Sequence, residues 1–150
     1  MPYESIHCEG RAMTRVGALD LGETVGLAVE DALGLLAHPR GTLNARNPRD
    51  FLNALNEWIQ HEKITRLIVG LPVDMKGDEG QAARKVRTLA QTIANATGCE
   101  VELWDERWTT VQAYRRLKES GVRGRNAKRH VDEAAAVAIL QSWLDAQREA

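Results

Sequence analysis

Along the chain the spacing of apolar positions switches between alternation and a three-to-four repeat, and the switches mark out the elements. Residues 1–12 show no periodicity and are expected to form a flexible extension ahead of a single domain over residues 13–150. Arg15–Leu21 reads as a strand, Gly22 and Glu23 as a turn, and Thr24–Glu30 as the antiparallel partner. Asp31–Gly34 suits a second turn, with a third strand inside Leu35–Leu43. Pro48 can open a helix, and Phe51, Leu52, Leu55, Trp58 and Ile59 then give it one apolar face. Arg66–Leu71 is a short β-branched run ended by Pro72, and Val73–Gly80 a glycine-bearing loop. Val86, Leu89, Ala90, Ile93 and Ala94 predict a helix over Gln81–Thr97, stopped by Gly98. A fifth strand follows at Cys99–Trp104. Thr109 or Thr110 caps a helix that ends at Gly121, and Asp132–Gln147 is the last helix. Three meandering strands followed by alternating helices and strands predict a mixed-sheet α/β domain.

One residue breaks this pattern. Asp20 stands within V-G-A-L-D-L-G-E-T-V-G-L-A-V, where its neighbours call for a sheet interior. An unpaired buried carboxylate costs several kcal/mol, so something must compensate it. Other acids lie at telling places. Asp105 and Glu106 follow the fifth strand, at the strand ends where α/β sheets bind ligands, and Asp132 and Glu133 are expected in the first turn of the last helix. Singly, each has a plain explanation: Asp132 as a helix cap, Asp105 and Glu106 as solvated loop residues, Asp20 as an acceptor for backbone donors. Jointly they predict a divalent cation, because carboxylates crowded within a few Å otherwise repel one another. Oxygen donors without Cys or His select Mg²⁺ or Mn²⁺. Two such ions roughly 3.5–4 Å apart support phosphodiester hydrolysis.

A basic stretch adjoins these acids. Gly121–His130 carries Arg123, Arg125, Lys128 and Arg129 and no acid, and it reads as a positive loop for a phosphate backbone. Arg107, beside the strand-end acids, is an expected substrate contact as well. Trp104 and Trp108 flank Asp105-Glu106; Trp104 is expected in the core, and Trp108 is open to base stacking. The loop Gly70–Gly80 offers backbone amides that could approach phosphate.

Composition adds mainly exclusions. At 43% hydrophobic and 27% charged, with net charge −1, the chain has ordinary globular composition without a general positive coat. No apolar run reaches the roughly 18 residues of a membrane span. The start lacks the basic and apolar regions of a signal peptide, and Cys8 and Cys99 lack metal-site spacing, so a cytoplasmic protein with free thiols is expected.

Four blocks in this order, L-D-L-G-E-T-V-G-L-A-V, I-V-G-L-P-V-D-M-K-G, D-E-R-W-T-T and V-D-E-A-A-A-V-A-I-L, resemble the YqgF family, also called RuvX or Holliday junction resolvase-like. The likeness runs from about Arg15 to Leu144. It implies an RNase H-like fold: a five-stranded mixed sheet, its first three strands antiparallel, flanked by helices. It also implies a Mg²⁺- or Mn²⁺-dependent nuclease, with Asp20, Glu106 and Asp132 as catalytic and metal-binding acids. Family members are described as nucleases for 5′ maturation of pre-16S rRNA, and earlier as Holliday junction resolvases. RNA is therefore the favoured partner, with DNA the alternative and a homodimer what junction resolution would require. Trp108 departs from the smaller apolar residues common at its position, and Glu133 adds an acid that competes with Asp132 for the metal role. D-L-G-E-T also resembles the first phosphate motif of actin-like ATPases, but those close two domains around a nucleotide. A non-catalytic RNA- or polymerase-binding module is the remaining alternative, and it leaves a carboxylate inside an apolar strand unexplained.

Overall fold

The computed structural model describes residues 15–119 and 124–149. The expected extension over residues 1–12, with Cys8, lies outside the described residues. β1 (Arg15–Asp20), β2 (Thr24–Glu30), β3 (Ala37–Asn44), β4 (Ile64–Leu71) and β5 (Glu100–Asp105) form one sheet in the order β3-β2-β1-β4-β5. The first three run antiparallel, while β4 pairs in parallel with β1 and β5 with β4. This is the five-stranded mixed sheet that the resemblance implies.

Strand alternation sorts the side chains onto two faces. Leu19, Leu27, Val29, Leu67 and Val69 pack against Phe51, Leu55 and Ile59 of α1 (Pro48–Glu62) and Val86 and Ile93 of α2 (Gln81–Thr97). Ala18, Ala28 and Ile68 face the other way, against Val111 of α3 (Val111–Glu119) and Ala135, Ala136, Ile139, Leu140 and Leu144 of α4 (Arg125–Glu149). Alanines on both sides of this second interface let α4 lie close upon β1 and β2.

Asn47 caps α1 by accepting from the Asp50 amide at 3.0 Å, with Pro48 at the first turn as expected. Gly98, at φ 76°, ends α2 where predicted. β3 is an edge strand, which is where Pro39 can be tolerated. It starts later than the earliest expected residue: Leu35 and Leu36 remain exposed in the preceding turn, which the Asp31 carboxylate organises by accepting from the Leu35 amide at 2.9 Å.

The largest departure concerns α4. It begins at Arg125, directly after Gly124 at φ 88°, not at Asp132. Of the described side chains between the helix start and Asp132, Val131 alone is buried, so the opening turns carry no apolar stripe for periodicity to detect. The expected basic loop is therefore in large part the opening of a helix.

Candidate active site

Asp20 closes β1 on the face that Ala18 presents to α4, two residues earlier in the same alternation. Its antiparallel partner is Gly26, and the parallel register pairing Leu19 with Val69 brings Gly70 alongside it from β4. The charged side chain thus stands between two glycines in a row across the sheet. Both gaps are filled by the other expected acids. A Cβ on Gly26 would lie 2.0 Å from the Asp132 carbonyl oxygen, so α4 rests its backbone directly on β2 there. A Cβ on Gly70 would lie 2.7 Å from Glu106 Oε1, so the Glu106 side chain occupies that space.

Asp20, Glu106 and Asp132 are 3%, 1% and 1% exposed, and they are the only buried polar or charged residues among those described. Three distant segments thus meet around one short row, Glu106 by its side chain and Asp132 by its backbone. Asp132 lies well past the helix start at Arg125, so the capping explanation fails.

The D-E-R-W-T-T block divides its work. The Asp105 carboxylate accepts from the Arg107 amide at 2.8 Å, capping the 3₁₀ turn Glu106–Trp108, and grips the Arg107 guanidinium at 2.6 and 3.0 Å. Those hydrogen bonds hold its carboxyl below the usual range. The turn carries Glu106 inward, and the Glu106 carbonyl accepts from the Thr109 hydroxyl at 2.9 Å. That hydroxyl in turn accepts from the Val111 amide at 3.0 Å, opening α3. Neither Asp105 nor Glu106 is the solvated loop residue that each would be in isolation.

Glu133, the competitor for the metal role, faces elsewhere. Its carboxylate accepts from the Gly41 amide on β3, clamping α4 to the edge strand. Arg107 lies beside the site with its charge answered by Asp105, and its guanidinium packs against Gly77 and over the Trp108 ring. Trp104 is partly buried against the α4 core and donates to Ser142 Oγ at 3.0 Å.

Lys128 and Arg129 are exposed on the first turns of α4 and line a cleft that also includes Asp132, Glu23, Asn44 and Arg46. Arg46 escaped the sequence reading because a single cation before a helix cap carries no pattern; only the fold sets it opposite Lys128 and Arg129. Arg123 and the Arg125 side chain lie outside the described residues. The Gly70–Gly80 loop spends its amides internally: Asp74 Oδ1 accepts from the Lys76 and Asp78 amides at 2.9 and 2.8 Å, and the Asp74 carbonyl accepts from the Gly77 amide at 2.9 Å. Those amides are already engaged within the loop.

Among the described residues, no group of three or more His, Cys, Asp or Glu side chains is placed to hold a metal ion. The donors nonetheless suit Mg²⁺ or Mn²⁺, being carboxylate oxygens alone, and Mg²⁺ keeps several waters and takes only one or two carboxylates.

A Myxococcus xanthus protein named "Putative pre-16S rRNA nuclease" is 42% identical over 135 residues, covering 89% of each chain. A Chloroflexus aurantiacus protein of the same name is 39% identical over 132 residues, covering 87% of this chain and 86% of its own. Among solved structures, T. thermophilus RuvC in complex with a Holliday junction substrate matches at a TM-score of 0.53 and 19% identity, covering 89% of this chain and 96% of its own, a likeness of fold. The family model described as RuvX, Holliday junction resolvase, matches residues 14–146, and the chain belongs to that family.

Proposed function

We propose that the chain is a divalent-metal-dependent nuclease in which Asp20, Glu106 and Asp132 hold Mg²⁺ or Mn²⁺ and RNA is the substrate, with 5′ trimming of a 16S rRNA precursor in the cytoplasm as its task. Membership in a family of resolvases and nucleases makes it an enzyme that hydrolyses nucleic acid. The observation that carries the finer reading is the coincidence of three acids from three segments as the sole buried charges among the described residues. The relatives' shared name favours ribosomal RNA as the substrate. No described helix is long and apolar enough to cross a membrane.

Each residue has a task set by its element. Asp20 has its backbone fixed by strand pairing, which sets where its carboxylate leaves the sheet. Glu106 rides the 3₁₀ turn that Asp105 and Thr109 brace. Asp132 is seated by the bare backbone of Gly26 and held in place through its neighbour Glu133. Metal bound by these carboxylates would activate water for attack and stabilise the departing oxygen. Arg46, Lys128 and Arg129 hold the phosphates on either side of the cleft, fixing register without reading sequence.

Cleavage of end-labelled single-stranded RNA, a precursor-rRNA 5′ segment, duplex DNA and a four-way junction, each with Mg²⁺, Mn²⁺ or EDTA, tests the proposal. The expected result is RNA cleavage that EDTA abolishes. Preference for the junction, together with a homodimer in sedimentation, would favour resolution instead, and binding without any cleavage would favour a module that only binds.

A second expectation concerns the cleft. Replacing Arg46, Lys128 and Arg129 together by glutamine is expected to lower the slope of log Kd against log salt by about 2 for single strands, at roughly 0.7 per neutralised phosphate contact. An unchanged slope would return these residues to ordinary surface.

A further inference from the structure

The chemistry above leaves Trp108 unexplained. The residue is 67% exposed, two residues beyond the buried Glu106. Large aromatics are usually covered, and this one is held on a fixed mount. Its carbonyl accepts from Ser142 Oγ at 3.2 Å, anchoring the 3₁₀ turn to α4. Its ring lies 5.4 Å from the guanidinium carbon of Arg107, which Asp105 holds in turn. The indole is pre-positioned while much of its surface is left to solvent.

Trp108 borders an open depression together with Thr110, Tyr114, His130 and Glu133. His130 and Glu133 also border the basic cleft, so the two depressions adjoin at these residues. A strand whose phosphates follow Arg46, Lys128 and Arg129 would bring its bases past the acids and onto this aromatic surface.

We propose that Trp108 is a stacking platform for one unpaired nucleobase of a single-stranded substrate, next to the cleavage site. This rests on the nuclease reading and adds a specificity to it. Every base has a π-face, so the platform is indifferent to sequence but not to pairing. A base already stacked inside a duplex must first be pulled out, which costs a few kcal/mol, so the platform selects single-stranded ends and loops.

The test is equilibrium binding, in an Asp20→Asn background that prevents turnover, of a short labelled RNA strand, the same strand with abasic residues, and its duplex. Trp108→Ala is expected to weaken the base-bearing strand about 5- to 150-fold, the worth of one stacked base, and to leave the abasic strand and duplex unchanged. Trp108→Phe should restore most of the loss. Equal binding of the base-bearing strand by Trp108→Ala and its parent would overturn the proposal. Equal losses on base-bearing and abasic strands would overturn it too, by showing a structural role. A parent that binds no nucleic acid would overturn the nuclease reading and this proposal together, whereas tight binding indifferent to Trp108 would overturn only the platform.

Discussion

Asp20→Asn is expected to lower the rate of cleavage at least about a thousandfold, roughly 4 kcal/mol of barrier, with the fold intact. The substitution keeps the shape and volume of the side chain and removes only its charge. If Asp20 served packing or backbone hydrogen bonding, an amide in its place would cost little activity. If it serves as a metal ligand, the loss is severe, because a neutral amide oxygen is a poor substitute for a carboxylate on a hard cation. Stability separates the effect from misfolding. A buried charge is removed from a row that contains two other acids, so the thermal midpoint is expected to stay level or rise. Activity close to wild type in a folded Asp20→Asn protein would refute the assignment of this acid to the site.

How much of the candidate site was legible in the sequence depends on which physical signal each residue carries. Asp20 was legible because a carboxylate inside an apolar strand contradicts its surroundings. α2 was legible at both ends, and β2 throughout, because periodicity and a glycine stop agreed. Choosing Glu106 over Asp105, and Asp132 over Glu133, needed the family resemblance, since adjacent acids at a strand end or on a helix look alike in sequence. The structure separates each pair by orientation: Asp105 turns back onto its own turn, and Glu133 turns to Gly41. The early start of α4 was hidden because its first turns face solvent and show no apolar stripe. Arg46 was hidden for a different reason: its partners in the cleft are remote in sequence, and no local pattern encodes such an encounter. The glycines beside Asp20 fell between these cases. Gly26 and Gly70 looked like ordinary strand residues, and only strand pairing shows that they make room for the other two acids.

Those glycines give the other large expected effect, and the two should fail differently. At Gly26 the clash is with backbone: a Cβ would meet the Asp132 carbonyl oxygen at 2.0 Å, its carbon at 2.5 Å and the Glu133 amide at 3.1 Å. Helix backbone cannot rotate out of the way, so Gly26→Ala must lift α4 off the sheet, spoiling the packing around Ala28 and Ala136 as well as moving Asp132. A destabilisation of about 3 kcal/mol or more is expected, at or above the top of the usual range for overpacking, and with it loss of cleavage. At Gly70 the obstacles are side-chain ends, Ile139 Cδ1 at 2.6 Å and Glu106 Oε1 at 2.7 Å, which can turn aside. Gly70→Ala is therefore expected to keep its fold at a cost nearer 1 kcal/mol and to lose activity chiefly by displacing the Glu106 carboxylate. Chemical denaturation of both variants, read beside cleavage under saturating Mn²⁺, distinguishes the cases. An active and stable Gly26→Ala protein would mean that α4 does not sit on β2 as described. A fully active Gly70→Ala protein would remove Glu106 from the chemistry while leaving Asp20 and Asp132 in it.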